Sequence, residues 1–159
     1  MMNDEYLNWK PTPEDMDKAA TARSFLDNYR LQIRERKDAE ERLSKIRKQK
    51  KDNIEFLQKL AINEEQYQAI EERCRKYAEK CEELEAYFEN RRDECADMEL
   101  RILSSINSLN AGQYTDDMKE ILIMRYVDGL EWKEIASRLC LSRRTCQYRE
   151  LQALMLLVY

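Results

Sequence analysis

Apolar residues recur along this chain at helical spacing, and they fall into three stretches of different regularity. In the first, Leu26, Tyr29 and Ile33, then Leu43, then Ile54, Leu57 and Ala61 mark a seam with charged residues at several intervening positions. The second is far more regular. Tyr67, Cys74, Cys81, Phe88, Cys95, Ile102 and Leu109 are spaced by sevens, and Ile70, Tyr77, Leu84, Arg91, Met98 and Ser105 follow three residues behind the first six. That 3-4 alternation is the heptad of a helix with one buried stripe, broken only at Arg91 and Ser105. The two seams do not share a phase. The third stretch, Met118 to Leu157, reads as helix, tight turn, short helix, tight turn, helix.

Start and stop signals bound these elements. Thr12 can cap a helix, Pro13 suits its first position, and Glu14 and Asp15 complement the dipole. No proline follows Pro13 and no glycine precedes Gly112, so little forces the chain out of helix between them. Asn63, followed by Glu64, Glu65 and Gln66, supplies a fresh cap. Two arrangements fit: an antiparallel helical hairpin, or one long imperfect helix dimerising along its seam. A lone helix with an exposed stripe of Tyr, Phe, Leu and Ile would aggregate, so a partner helix is required. The hairpin is favoured because a turn near Asn63 needs few residues. It leaves self-association through the arm open.

The fold expected is therefore all-α: a long helical hairpin or coiled-coil arm followed by a small tri-helical helix-turn-helix domain. Residues 1–12 read as a flexible tail carrying Tyr6 and Trp9, residues 13–112 as the arm, and residues 113–159 as the helix-turn-helix domain.

Composition narrows the chemistry. Charged residues make up 38% of the 159, with two Gly and two Pro, which suits long solvated helices rather than sheets. The net charge of -4 rules out polyanion binding by bulk electrostatics, so charge placement has to carry any nucleic-acid reading. There is no histidine, which removes His-based catalysis and His metal ligation. The five cysteines include no CxxC pair, so neither a disulfide framework nor a zinc site is expected. No set of acid, base and nucleophile can be assembled, and neither enzyme activity, metal nor cofactor is expected. The seam cysteines Cys74, Cys81 and Cys95 read as small buried apolar residues. The opening MMNDEYLNWK lacks an apolar h-region and the run LMLLVY is too short to span a bilayer. A soluble cytoplasmic protein without membrane partners is expected. Basic residues cluster between Arg34 and Lys51, as a solvated face laced by i,i+4 pairs or as phosphate contacts from Lys45 to Lys51.

In the third stretch, Gly112 can take a left-handed backbone and Thr115 can cap the next helix. Met118, Ile121, Leu122 and Tyr126 share one face of it, Asp128-Gly129 ends it, and Leu130 plugs the turn. Trp132 to Leu139 turns Ile135, Ala136 and Leu139 inward, and Ser142 caps the last helix. Arg143, Arg144, Thr145, Gln147 and Tyr148 occupy the first two turns of that helix, the part that reaches base edges in a major groove. Arginine reads guanine and glutamine reads adenine in two-bond contacts, while threonine and tyrosine take phosphates or a thymine methyl. Lys133 and Arg138, on the preceding helix, are placed to hold phosphates. The acids Asp116, Asp117, Glu120, Asp128, Glu131 and Glu134 lie outside the last helix.

The run LIMRYVDGLEWKEIASRLCLSRRT resembles region 4 of sigma-70-type factors, and still more the C-terminal part of phage-encoded late-transcription regulators of the RinA/ArpU type. The shared pattern is an aliphatic-Arg-Tyr helix end (Leu122 to Tyr126), the Gly129-Leu130 turn, Trp132 before Glu134-Ile135-Ala136, and Ser142. The resemblance implies a helix-turn-helix whose third helix binds promoter DNA, in a regulator or activator of phage genes within the bacterial host cytoplasm. It places Arg143, Arg144, Gln147 and Tyr148 on the DNA. Three residues depart from the pattern. Glu131 stands where a Ser or Thr cap is usual. Cys140 replaces a turn glycine, at about 1 kcal/mol if the backbone there is left-handed. Arg149 replaces a core aliphatic, so either it snorkels or the helix is rotated and Tyr148 is buried.

Two functions follow. The first is a transcription regulator that reads double-stranded promoter or operator DNA, with RNA polymerase as a further partner. The second is a coiled-coil interaction protein that docks a sigma-like module on RNA polymerase or another regulator without specific DNA binding. The resting place of the apolar end, Leu154 to Tyr159, is open among its own module, the arm and a second chain.

Overall fold

The structure, a computed structural model, describes residues 10–60 and 63–159. The expected tail residues Tyr6 and Trp9, and Ala61 of the first seam, lie outside the described residues. All elements among the described residues are helical. They are α1 (Pro13–Lys59), α2 (Glu64–Asn107), a 3₁₀ turn (Gly112–Tyr114), α3 (Thr115–Leu122) running into a π-helical turn (Ile123–Val127), α4 (Trp132–Leu139) and α5 (Arg143–Leu156).

The predicted caps of the two long helices form. The Asp15 amide donates to Thr12 Oγ1 at 3.2 Å and the Thr12 amide donates to the Asp15 carboxylate at 2.9 Å, a reciprocal box that satisfies two orphan donors. The bond from the Thr12 backbone holds the Asp15 carboxyl below its ordinary value. Asn63 Oδ1 accepts from the Gln66 amide at 2.9 Å, so α2 starts afresh instead of continuing α1.

The chain divides into two compact units: Gln32–Met98, and the described residues up to Leu31 together with Glu99–Tyr159. Within the first, α1 and α2 run antiparallel as a hairpin. Arg91 pairs with Glu35, Arg47 with Glu89 at 2.6 Å, Lys50 with Glu85 at 3.3 Å, and Asn53 donates to the Tyr77 hydroxyl at 2.9 Å. Ala39, Leu43, Cys74, Cys81 and Cys95 are buried there, the cysteines as small apolar fill. The second heptad set is only partly covered: Ile70, Tyr77 and Met98 are half-buried, Ser105 is buried and Leu84 is 51% exposed. The basic cluster is largely neutralised. Arg36, Arg42 and Lys45 make i,i+4 pairs with Glu40, Asp38 and Glu41, while Arg47 and Lys50 meet acids of α2.

In the second unit, Ala19, Ala22, Leu26 and Tyr29 of α1, Ile102 and Ile106 of α2, Leu109 just after it, and the inward faces of α3 to α5 are buried. The apolar end rests on its own chain. Leu154 and Leu157 are buried, and the Tyr159 ring stacks on Phe25 of α1 at 4.5 Å, with the Arg101 guanidinium over the same Phe25 ring at 5.7 Å. Among the described residues no helix is long and apolar enough to cross a membrane.

Candidate nucleic-acid interface

The turns that aim the last helices are built largely as their residues dictate. Gly112 and Gly129 both take positive φ, at 64° and 70°. Thr115 does not cap α3. Its hydroxyl accepts from the Ala111 amide and donates to the Gly112 carbonyl, each at 2.8 Å, so it ties the preceding loop, and no side chain caps that helix. The predicted α3 face of Met118, Ile121, Leu122 and Tyr126 is buried. After Leu122 the helix widens, and the Asp128 amide reaches back five residues to the Ile123 carbonyl at 2.9 Å. Leu130 packs on the core of Ile121, Ile135 and Cys146, joined by Ala136 and Leu139. At the start of α4, the Glu134 carboxylate accepts from the Glu131 amide at 3.2 Å, which offsets the missing Ser or Thr cap.

Cys140 sits at φ 54°, ψ 38°, the left-handed conformation a glycine would hold more cheaply. Ser142 then caps α5 as predicted, its Oγ accepting from the Thr145 amide at 3.1 Å. Arg143, Arg144 and Gln147 are exposed, as are Lys133 and Arg138 on α4. Thr145 is half-buried, and its hydroxyl lies 2.7 Å from Ser142 Oγ, so it serves the cap. Tyr148 is half-buried. By helical period, Arg144 and Tyr148 lie one above the other on the side away from buried Cys146 and Ala153.

Arg149 points to neither groove nor solvent. Its side chain is 13% exposed, pairs with Asp117 and lies over the Tyr114 ring at 4.8 Å. A charged side chain thereby fills an aliphatic position without rotating α5, because α3 supplies both an acid and a ring. Cys146, buried beneath it, has its thiol pushed up by that burial.

Glu150 corrects the expectation that the acids of this region lie outside the last helix. It lies on α5, its side chain is 6% exposed, and it accepts from two other elements. The Tyr126 hydroxyl donates to it at 2.5 Å, and the Arg23 guanidinium of α1 donates to both of its oxygens at 3.4 Å. Arg23 also donates to the Tyr126 hydroxyl at 3.3 Å. Burial, reinforced by the adjacent carboxylate, pushes the Tyr126 phenol far above its ordinary value. For Arg23 burial works against the charge, but Glu150 and Tyr126 together outweigh it and raise the guanidinium. The acid is thus turned inward and neutralised, which leaves the outer face of α5 cationic.

Residues 115–157 match Sigma-70, region 4. The last three helices are thus similar to a sigma-70-type helix-turn-helix. The match spans about a quarter of the chain and does not extend to the long helices. No curated protein and no solved structure matches the chain.

Around this sigma-70-like module, Gln147, Trp132, Arg125 and Leu151 line a cleft with Met16, Arg23 and Asp27 of α1. Arg125 stacks on Trp132 at 5.0 Å and donates to the Leu130 carbonyl at 3.1 Å, locking the turn before α4. Sequence reasoning placed Arg125 only within the family pattern and missed Arg23, Tyr126 and Glu150 as a set. Arg23 and Glu150 stand 127 positions apart, and no periodicity or motif links them.

Proposed function

We propose that this protein is a transcription regulator, an activator of the phage late-transcription type, that reads promoter DNA with α5. Arg143, Arg144, Gln147 and Tyr148 face bases and neighbouring phosphates, with Thr145 fixing the cap. Lys133 and Arg138 hold phosphates on either side. The observation that carries this reading is the exposure of Arg143 and Arg144 in the first turn of a Ser-capped helix whose only acid is buried and paired. RNA polymerase is the second partner proposed for the module.

The arm serves self-association. Phe56, Tyr67, Leu84 and Tyr87 of the hairpin unit are 63%, 52%, 51% and 63% exposed, more large apolar surface than one hairpin covers. The same exposure favours a second reading, in which the arm is an adaptor and the module docks on protein. One titration separates the two. Labelled DNA selected from a random pool binds the wild type in a salt-sensitive manner, and Arg143→Ala/Arg144→Ala loses about 1–3 kcal/mol per two-bond base contact. Binding that ignores salt, or ignores the double substitution, rejects the DNA-reading function.

A further inference from the structure

The apolar contacts beneath α5 hold it to the module but set its rotation only loosely, since burial has no direction. The cluster of Ile121, Ile135 and Cys146 touches α5 near its start. One turn further on, the polar contacts are directional: Arg149 pairs with Asp117 of α3, and the Glu150 carboxylate is gripped by Tyr126 from the π-helical turn and by Arg23 from α1. Gln147 lies one turn before Glu150 and shares a cleft with Arg23. A turn of α5 about its own axis that breaks the Arg23 grip would swing the reading side chains together. A misplacement of about 1 Å can cost a hundredfold where geometry matters.

We infer that Arg23 is a positioning residue for the reading helix, acting through Glu150, so that the DNA-reading body includes the early turns of α1 as well as the sigma-70-like module. This rests on the proposed DNA reading. Arg23 touches no base in this scheme, and its effect is on which sequence α5 prefers.

The test compares wild type with R23Q and with R23M/E150M, which removes the part-exposed guanidinium together with its buried carboxylate partner, so that no charge is left buried without a partner. Two affinities are measured for each, to the selected site and to random-sequence DNA, at several salt concentrations. R23Q is expected to lower the ratio of the two by about tenfold or more, with the salt slope unchanged. The double variant is expected to recover part of the thermal midpoint, since the Tyr126 hydroxyl loses both partners, but not the ratio. Should R23Q fail to fold, the double variant decides alone. A ratio untouched in R23Q, or restored together with stability in the double variant, reduces Arg23 to a structural brace and overturns the inference. So does a salt slope that falls by about 0.9, the mark of a direct phosphate contact.

Hydrogen exchange on the free proteins is read in parallel. In R23Q the amides of α5 are expected to exchange about tenfold faster relative to those of α4. If the wild type has no sequence preference, the proposed function fails, and the exchange result still decides whether Arg23 holds α5. Equal exchange in the two helices sinks the positioning role.

Discussion

Gly129 and Cys140 hold nearly the same left-handed backbone, at φ 70° and φ 54°, on either side of α4. Glycine meets that geometry without strain, whereas an L side chain there costs about 1–2 kcal/mol. Cys140→Gly is expected to raise unfolding stability by about 1 kcal/mol, and Gly129→Ala to lower it by a similar amount, both read by denaturant midpoint. A Cβ on Gly129 would also lie 2.4 Å from Arg30 Nη1, which the flexible guanidinium can relieve by moving. The Cys140 departure was legible because one turn geometry demands one residue type. Arg149 was legible only as an anomaly, since its partner Asp117 stands 32 positions away. The buried Tyr126 phenol gives a pH signature. Its folded-state proton is held more tightly than in the unfolded chain, so its contribution is full below the ordinary phenol value near 10.0 and is lost as pH rises beyond it. Cys146 shifts in the same direction from its ordinary 9.0. Stability measured from about pH 9 to 11 should therefore fall less steeply in Tyr126→Phe than in wild type.

At the scale of elements, caps settled most boundaries. Asn63 marks the break that makes a hairpin of two helices, and Ser142 marks the start of α5. Ser142→Ala should cost about 1 kcal/mol of stability. It should also weaken DNA binding, because Arg143 and Arg144 belong to the turn it loosens, and circular dichroism with a DNA titration would show both effects. The heptad named the buried cysteines correctly but could not say which of its other members are covered: Tyr67 and Leu84, one from each row, are exposed. Coverage depends on how many helices meet, which periodicity in one helix does not encode. The π-helical turn was equally silent: Tyr126 falls on the buried side whether the last turn holds one residue more or fewer.

For the whole molecule, the all-α architecture was legible from composition, turns and spacing, and the sigma-70-like module from the resemblance of the run LIMRYVDGLEWKEIASRLCLSRRT. The grouping of early α1 with the last helices was not, because it rests on contacts between distant positions, the Phe25–Tyr159 stack and the Arg23–Glu150 pair among them. Charge behaves differently in the two units. In the hairpin, Arg47 and Lys50 are met by Glu82, Glu85 and Glu89, so these cations have little left for phosphate. R47Q/K50Q is expected to lower the hairpin's stability by about 0.5–1 kcal/mol while the slope of DNA affinity against salt stays within experimental error. A shallower slope in that variant would assign phosphate contacts to the arm.

The cross-helix pairs of the hairpin form a ladder in sequence distance: Asn53–Tyr77 spans 24 residues, Lys50–Glu85 35, Arg47–Glu89 42 and Glu35–Arg91 56. Zipping from the turn closes a short loop at each step, whereas joining Arg23 to Glu150 unaided closes one of 127 residues. Once Glu35 and Arg91 have met, the loop left to close is roughly halved, which by the logarithmic law saves only about 0.5 kcal/mol. The hairpin therefore lightens that closure only slightly, and the contacts that Glu150 makes with Arg23 and Tyr126 have to offset most of their own loop cost.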